Sequence, residues 1–281
     1  MEIKASDVKE LRQKTGAGMM DCKKALTEAG GDFEKAEKIL KELGLAAAAK
    51  RGGKATNEGR VFTYVGSERA AMVELSCETD FVARNEDFVN LGQSIARDMA
   101  ETGRAADDAE YETRVKDAMT TIKENMAIKR ATLMELAEGQ LVKDYIHGES
   151  GTIGVLVKVQ ADTPSLVEKD EVQKFAFDVA LHVAAFRPTF ISAALADKKY
   201  VAEQEEIFMA QAKQLDKPEN VTQGIAKGKL NKHMSEISLL EQGFVRDEKV
   251  SVAKTAETLG KELGGNVEVT DFVYFMVGEE A

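Results

Sequence analysis

The chain has 281 residues, of which 43% are hydrophobic and 31% are charged, a composition typical of globular rather than disordered proteins. That length is sufficient for two or three domains with a substantial core. The formal net charge of −11 argues against a dedicated nucleic-acid binder, because no excess of lysine and arginine is available to neutralise phosphates, and it favours a protein partner.

The two cysteines indicate the compartment. Cys22 and Cys77 lie far apart, and neither belongs to a CxxC pair or a histidine cluster. We therefore expect both thiols to be buried as small hydrophobic side chains in a reducing compartment. No apolar run reaches membrane-spanning length and the first four residues lack signal or transit character, so the sequence predicts a cytoplasmic protein with no membrane contact.

Residues 1–45 have the pattern of a three-helix N-terminal domain. Apolar residues recur at helical spacing in three short segments, which glycines separate. Met19 and Met20 follow the first glycine turn, so we expect at least one of them at the surface; the alternative is that both pack in the small core. Residues 46–58 have no amphipathic pattern and several helix breakers, which predicts a linker.

Residues 59–139 are predicted to form a first α+β unit. Two strand patterns, 59–65 and 70–77, flank a polar turn and predict a hairpin. Apolar residues then recur at helical spacing from Phe88 to Met99, and the charged segment 107–137 also has a helical pattern.

The tetrapeptide Thr79-Asp80-Phe81-Val82 lies between the second of these strands and the next helix. A phenylalanine at such a junction need not point into the core. An exposed one forgoes about 1.5–3 kcal/mol of burial, which indicates a partner that covers it. The alternative is that Phe81 packs under the following helix as an ordinary loop anchor, and the local sequence leaves both open.

Residues 140–192 and 241–281 are predicted to form a second α+β unit of similar plan. A buried strand pattern at 153–159 precedes a helical pattern at 167–185, as strand precedes helix in the first unit. We therefore expect a duplicated α+β core.

Residues 193–240 are charged and are interrupted once, at Lys217-Pro218-Glu219-Asn220. Two helical arms around one proline predict an antiparallel helical hairpin that projects from the core, because its polar face is wide. The alternative is that both helices lie flat on the core.

The last strand pattern, 267–277, contains a second copy of the tetrapeptide, Thr270-Asp271-Phe272-Val273. Apolar residues occupy both faces of this strand, so we expect the second copy to belong to the core. Only the first copy is a candidate site.

The sequence has no pattern typical of catalysis. His147, His182 and His233 are scattered without ligand spacing, acidic residues alternate with lysines at helical spacing, and no glycine fingerprint for a nucleotide is present. These observations predict a binding protein with no catalytic residues, no cofactor and no metal.

Two motifs together identify a resemblance that runs nearly end to end. They are the tetrapeptide Thr79-Asp80-Phe81-Val82 and, with Arg12 before it, the run Thr15-Gly16-Ala17-Gly18-Met19-Met20-Asp21-Cys22-Lys23-Lys24-Ala25-Leu26. Further matches are Glu124-Asn125-Met126-Ala127-Ile128-Lys129-Arg130, Tyr145-Ile146-His147-Gly148, Ile153-Gly154-Val155-Leu156-Val157, Ala184-Ala185-Phe186-Arg187-Pro188 and Gln242-Gly243-Phe244-Val245. The sequence resembles the bacterial elongation factor Ts family, and the first two motifs are highly specific in combination.

The resemblance implies a guanine-nucleotide exchange factor that binds elongation factor Tu in its GDP-bound and nucleotide-free forms, displaces Mg²⁺ and promotes GDP release so that GTP can bind. It also implies an α+β fold with a ubiquitin-associated-like N-terminal domain, a duplicated core and a helical hairpin. A homodimer or a two-to-two complex is left open, and no direct nucleic-acid contact is expected.

The resemblance also assigns residues. It implies that Thr79, Asp80, Phe81 and Val82 enter the nucleotide-binding domain of the partner near its Mg²⁺. By the same resemblance Arg12, Met19 and Met20 form an N-terminal contact to the partner, and His147 lies near the interface. The region from Met234 to Val245 is implied to face the far domain of the partner.

Three departures from the family pattern bear on these contacts. Lys123 stands where the family usually has glycine before Glu-Asn, and Gly243 stands where it usually has proline. Glu149-Ser150 slightly lengthens the turn after His147.

Two other function classes stay open. One is a small-molecule enzyme with an unrecognised carboxylate site between the two units, and the other is an RNA-associated or ubiquitin-like binding protein that uses the N-terminal domain.

Overall fold

The computed structural model describes residues 3–279, except the side chains of residues 47–51. Its mixed helix and sheet content is that of an α+β protein. The chain divides into two compact units. The first comprises the chain up to Glu135, Ile146–Gly154 and the segment from Phe275, and the second comprises Leu136–Tyr145 and Val155–Tyr274.

The first unit begins with helices α1 (Ala5–Thr15), α2 (Met19–Glu28) and α3 (Phe33–Arg51). They enclose a small core of their own, whose fully buried side chains are Leu11, Cys22, Ala25, Leu26 and Ala36. The predicted helices of the N-terminal segment are therefore confirmed, and Cys22 is buried as expected.

The prediction of a linker from residue 46 is wrong for its first part. Helix α3 continues through the alanines to Arg51, and the first residue after it is Gly52. Alanine has the highest intrinsic helix propensity, so a run of four extends a helix without an amphipathic pattern until a glycine stops it.

The sheet of the first unit has the order β1-β2-β3, formed by β1 (Glu58–Val65), β2 (Arg69–Cys77) and β3 (Met126–Glu135). Strands β1 and β2 form the predicted antiparallel hairpin. Strand β3 pairs antiparallel with the other edge of β2, with a bulge at Glu74 and Leu75.

The helical prediction for 107–137 is wrong in its second half. Helix α6 (Ala109–Ile122) ends at Lys123, and the chain then enters β3. Met119, Ile122 and Met126 continue the helical spacing across that end, but pairing with β2 overrides the local pattern.

Helices α4 (Asp80–Ala83) and α5 (Glu86–Thr102) follow β2, and α5 packs on the sheet. The buried face of α5 presents Phe88, Ile95, Ala96, Met99 and Ala100. A Cβ atom at Gly92 would lie 2.2 Å from the ring of Phe62, so this close approach of helix and strand requires glycine.

The second sheet has the order β4-β5-β8, formed by β4 (Gln140–His147), β5 (Ile153–Ala161) and β8 (Val267–Met276). Apart from two helices between residues 198 and 237, the other regular elements of the second unit are α7 (Pro164–Val167), α8 (Asp170–Phe186), β6 (Gly243–Phe244), β7 (Asp247–Ser251) and α11 (Val252–Glu262). A short 3-10 turn lies at Ala193–Leu195. The predicted strand near 153–159 and helix near 167–185 are confirmed, whereas β4, β6 and β7 were not predicted.

Between α8 and β6 the chain forms α9 (Lys198–Lys213) and α10 (Glu219–Ile237), which pack on each other. The short connection at 214–218 makes them antiparallel, so the predicted helical pair is confirmed. The hydroxyl of Tyr200 lies 2.9 Å from Nε2 of His233 across the pair.

The second copy of the tetrapeptide lies in β8. Its Phe272 is partly buried against the core of the second unit, and Phe275, three residues later, is buried. Within residues 3–279 no helix is both long and apolar enough to cross a membrane.

Candidate partner-binding site

The tetrapeptide forms the junction between β2 and α4. Thr79 is the N-cap residue of α4, and its hydroxyl oxygen accepts a hydrogen bond from the amide of Val82 at 3.4 Å. Ala83 is buried and Val82 is partly buried against the core of the first unit. Because these two side chains face inward, Phe81 on the same turn faces outward.

Phe81 is 82% exposed, the most exposed of the large hydrophobic side chains recorded for the described residues. The alternative that this ring packs under the following helix is therefore wrong. Its exposure leaves about 1.5–3 kcal/mol of apolar burial unused in the free chain. A fixed aromatic ring outside its own core is the type of side chain that anchors protein interfaces.

Asp80 lies beside the ring at the start of α4. One of its carboxylate oxygens accepts a hydrogen bond from Arg84 Nη2 at 3.0 Å. The side chains are 50% and 72% exposed, so this ion pair contributes little to stability and a partner can replace it. The carboxylate is thus accessible for hydrogen bonds from outside.

Glu124, which lies between α6 and β3, forms hydrogen bonds to the junction. Its two carboxylate oxygens accept hydrogen bonds from the backbone amide of Thr79, at 3.0 Å, and from the hydroxyl of Thr79, at 2.7 Å. Next to it, the amide of Asn125 donates to Glu78 at 2.7 Å, and Lys54 pairs with the same carboxylate, also at 2.7 Å. The junction is therefore tied to the start of β3.

Cys77, the last residue of β2, also contacts the junction. Its thiol donates to the carbonyl oxygen of Thr79 at 3.1 Å. Burial raises the pKa of this thiol to about 12, and the negative charge of Glu124 adds to the shift. Cys77 is therefore a protonated donor at neutral pH and not a nucleophile.

A second exposed apolar surface lies at the start of α2. Met19 is 55% exposed and Met20 is 66% exposed, so both lie at the surface where at least one was expected. Arg12, in the last turn of α1, is also exposed. The C-terminal end of α6 contacts this surface, because Lys123 Nζ lies 3.4 Å from Asp21 Oδ2 and a Cβ atom at Gly16 would lie 2.8 Å from Thr121.

His147 lies at the end of β4, and its side chain is exposed. The same end of α6 contacts the surface that carries Met19 and Met20 through Lys123, and the residue after Lys123, Glu124, contacts the junction that carries Phe81. His147 belongs to a separate segment of the first unit, Ile146–Gly154.

A family model described as Elongation factor TS matches residues 78–279. Elongation factor Ts of Borrelia hermsii is 46% identical over 278 residues, covering 99% of this chain and 100% of that protein. Elongation factor Ts of Borrelia recurrentis is 47% identical over 278 residues with the same coverage. Elongation factor Ts of Treponema denticola is 46% identical over 278 residues, covering 99% of each chain. The chain belongs to the elongation factor Ts family.

Membership of the elongation factor Ts family makes the chain a translation elongation factor that acts as a guanine-nucleotide exchange factor on elongation factor Tu. Exchange of this kind works by binding and includes no covalent chemistry. The alternatives of a small-molecule enzyme and of an RNA-associated or ubiquitin-like protein are not favoured. Across residues 3–279 no group of three or more His, Cys, Asp and Glu side chains could hold a metal ion.

The residues that support the site were not predicted from the sequence. Glu124-Asn125 was only a family match there, and neither residue had an expected role. The available signal was the residue before this pair: Lys123 stands where the family usually has glycine, the residue that commonly ends a helix. Lys123 adopts φ 66°, the left-handed conformation that explains the usual glycine.

Proposed function

We propose that this chain accelerates GDP release from elongation factor Tu by inserting Phe81 into the nucleotide-binding domain of the partner near its Mg²⁺. The observation that carries the proposal is the position of this ring, 82% exposed on a short helix that Val82 and Ala83 anchor in the core. Because the ring is already outside its own core, binding requires no unfolding of the junction.

Asp80 is proposed to orient the inserted ring. Its carboxylate is exposed, and charge-assisted hydrogen bonds from donors of the partner are about twice as strong as neutral ones. Such bonds would replace the weak pair with Arg84. Thr79 and Val82 contribute by fixing α4, through the cap and through the core.

The mechanism follows from linkage. If the inserted ring occupies space that the Mg²⁺ site needs, the chain and GDP with Mg²⁺ weaken each other's binding to elongation factor Tu by the same factor. Binding of the chain therefore favours the nucleotide-free form, and GTP can then bind and release the chain. The chain itself is not consumed.

Arg12, Met19, Met20 and His147 are proposed as further contacts to the partner. The two methionines are exposed on the first turn of α2, and their unbranched side chains adapt to a surface with little loss of fit. Arg12 and His147 add hydrogen-bond donors. These contacts contribute affinity, whereas Phe81 contributes the effect on the nucleotide.

The finer architecture is also a proposal. We propose a ubiquitin-associated-like N-terminal domain, a duplicated α+β core and a projecting helical hairpin. The separate core of α1, α2 and α3, the two three-stranded sheets and the α9–α10 pair support it.

The test is the release of a fluorescent GDP from elongation factor Tu. We expect Phe81→Ala to lower the rate constant of stimulated release about tenfold or more, as for loss of an interface anchor, without changing the thermal unfolding temperature. Leu195→Ala is the matched control, because Leu195 is 72% exposed in the second unit. An unchanged release rate with folded Phe81→Ala would refute the proposal.

A further inference from the structure

We propose that Glu124 is a positioning residue for exchange, which holds the Thr79 end of α4 so that Phe81 is presented in one orientation. This inference rests on the proposed function of Phe81. Glu124 itself is not proposed to insert with Phe81 near the Mg²⁺.

The geometry at Thr79 carries the inference. A single carboxylate accepts from both the amide and the hydroxyl of this residue, at 3.0 Å and 2.7 Å. Two hydrogen bonds from one planar group to one residue restrict both rotation and translation of that residue. The same hydroxyl oxygen accepts from the amide of Val82, so the restraint passes directly into α4.

The support of Glu124 is itself rigid. It follows α6, which is anchored by Tyr111, Val115 and Met119, and it precedes β3, which pairs with β2. Lys123 ends α6 by donating its amide to the carbonyl of Met119 at 3.0 Å. Glu124 therefore transmits the position of a packed helix and a packed strand to a loop that has only four helical residues of its own.

A different role for Glu124 is purely local stability. The junction already has other restraints, namely the thiol of Cys77 on the carbonyl of Thr79 and the burial of Ala83. If these were sufficient, loss of Glu124 would change the unfolding temperature but not the orientation of Phe81. Experiments that measure orientation, and coupling to Phe81, separate the two roles.

The first experiment is the GDP-release assay with Glu124→Ala and Glu124→Gln. We expect E124A to slow stimulated release about tenfold or more, because it removes both hydrogen bonds to Thr79, each of them to a charged group. E124Q should recover most of the rate, to within about threefold, because its carbonyl oxygen accepts from the amide of Thr79 and its NH₂ donates to the hydroxyl. Equal rates for E124A and the native chain would overturn the inference.

The matched control is Lys123→Gly, in the same turn. Glycine adopts φ 66° without strain, and the variant loses only the pair with Asp21, whose two side chains are both 51% exposed. Such an exposed pair contributes little, so release should stay within about twofold of the native rate. A K123G defect as large as that of E124A would show that any change in this turn slows release, and would overturn the specific role of Glu124.

The second experiment is a coupling measurement. A residue that acts only by positioning the ring of Phe81 has no effect once that ring is removed. Adding E124A to the Phe81→Ala variant should therefore change the release rate less than about twofold. An additional tenfold loss would overturn the inference. If the F81A variant stimulated GDP release from elongation factor Tu at the native rate, the proposed function would be refuted instead. Failure of the inference and failure of the proposed function are therefore distinguishable.

The third experiment observes the ring position directly. The chain contains no tryptophan, so Phe81→Trp introduces a single fluorescent indole. Time-resolved anisotropy of F81W should show a larger nanosecond component when E124A is added and no change when K123G is added. Should E124A not fold, E124Q with F81W serves instead, with a smaller increase expected; unchanged anisotropy in the folded variant would overturn the inference.

Discussion

Phe81 is exposed because of its immediate neighbours rather than because of its own chemistry. Thr79 caps α4 and Ala83 faces the core, so a large side chain on the turn between them points to solvent. The local sequence placed a phenylalanine at a strand-to-helix junction but could not choose between an exposed and a packed ring. That choice depends on the core beneath α4, which is built from residues distant in sequence.

The residues that support the site were harder to predict than the site itself. Glu124 lies 45 positions from Thr79 in the sequence, and a contact of that range has no periodicity that a sequence pattern reveals. The tetrapeptide was recognisable because it is contiguous.

A prediction at the residue scale concerns Cys77. Because burial and the nearby Glu124 raise its pKa to about 12, the alkylation rate of the folded Cys22→Ser variant should keep rising with pH through the range in which the native fold persists. The same variant in denaturant should level off near pH 9, as an ordinary thiol does. The measurement is the pH profile of iodoacetamide reaction, and a plateau near pH 9 in the folded protein would contradict the account.

At the scale of elements, a buried carboxylate joins α8 to the β6–β7 hairpin. The Asp178 side chain is 4% exposed, and it accepts from Arg246 at 2.6 Å and from Lys174 at 2.7 Å. Burial alone would raise the pKa of Asp178, but the hydrogen bonds from Arg246 and Lys174 lower it below its ordinary value of 3.8. The ionised form therefore stabilises the fold above that pH.

We expect Asp178→Asn to lower the free energy of unfolding at pH 7 by about 1.5–3 kcal/mol, the contribution of a hydrogen bond to a charged group. Since the folded pKa is depressed, this contribution is lost as the pH falls below 3.8, and the difference from the native chain should shrink there. Urea unfolding at a series of pH values measures it. Glu171→Gln, an exposed change on the same helix, is the control, and a pH-independent difference for Asp178→Asn would contradict the assignment.

Elements with their own strong pattern were predicted, and those that depend on a partner strand were not. The β1–β2 hairpin, α8 and the α9–α10 pair all show clear local periodicity. In contrast, β3 was predicted as helix because its apolar residues continue the spacing of α6, and only the free edge of β2 makes it a strand. The short β6–β7 hairpin has too few apolar residues to be recognised.

At the scale of the whole molecule, the family assignment came from sequence and the physical account of the site came from structure. The matching motifs extend over nearly the whole chain, and the relatives share 46–47% identity with it. Resemblance alone implied which residues contact the partner. The structure adds that the candidate ring is fully presented before binding, which favours an exchange factor that needs no rearrangement of its own at this site.

Phe81 is proposed to act on the nucleotide by displacing Mg²⁺. The most direct measurement is GDP release from elongation factor Tu stimulated by the native chain and by Phe81→Ala, at high Mg²⁺ and after chelation of Mg²⁺. If the ring acts through the metal, the defect of about tenfold at high Mg²⁺ should fall below about twofold once the metal is removed, because nothing remains to be displaced. The same fold defect in both conditions would contradict the account.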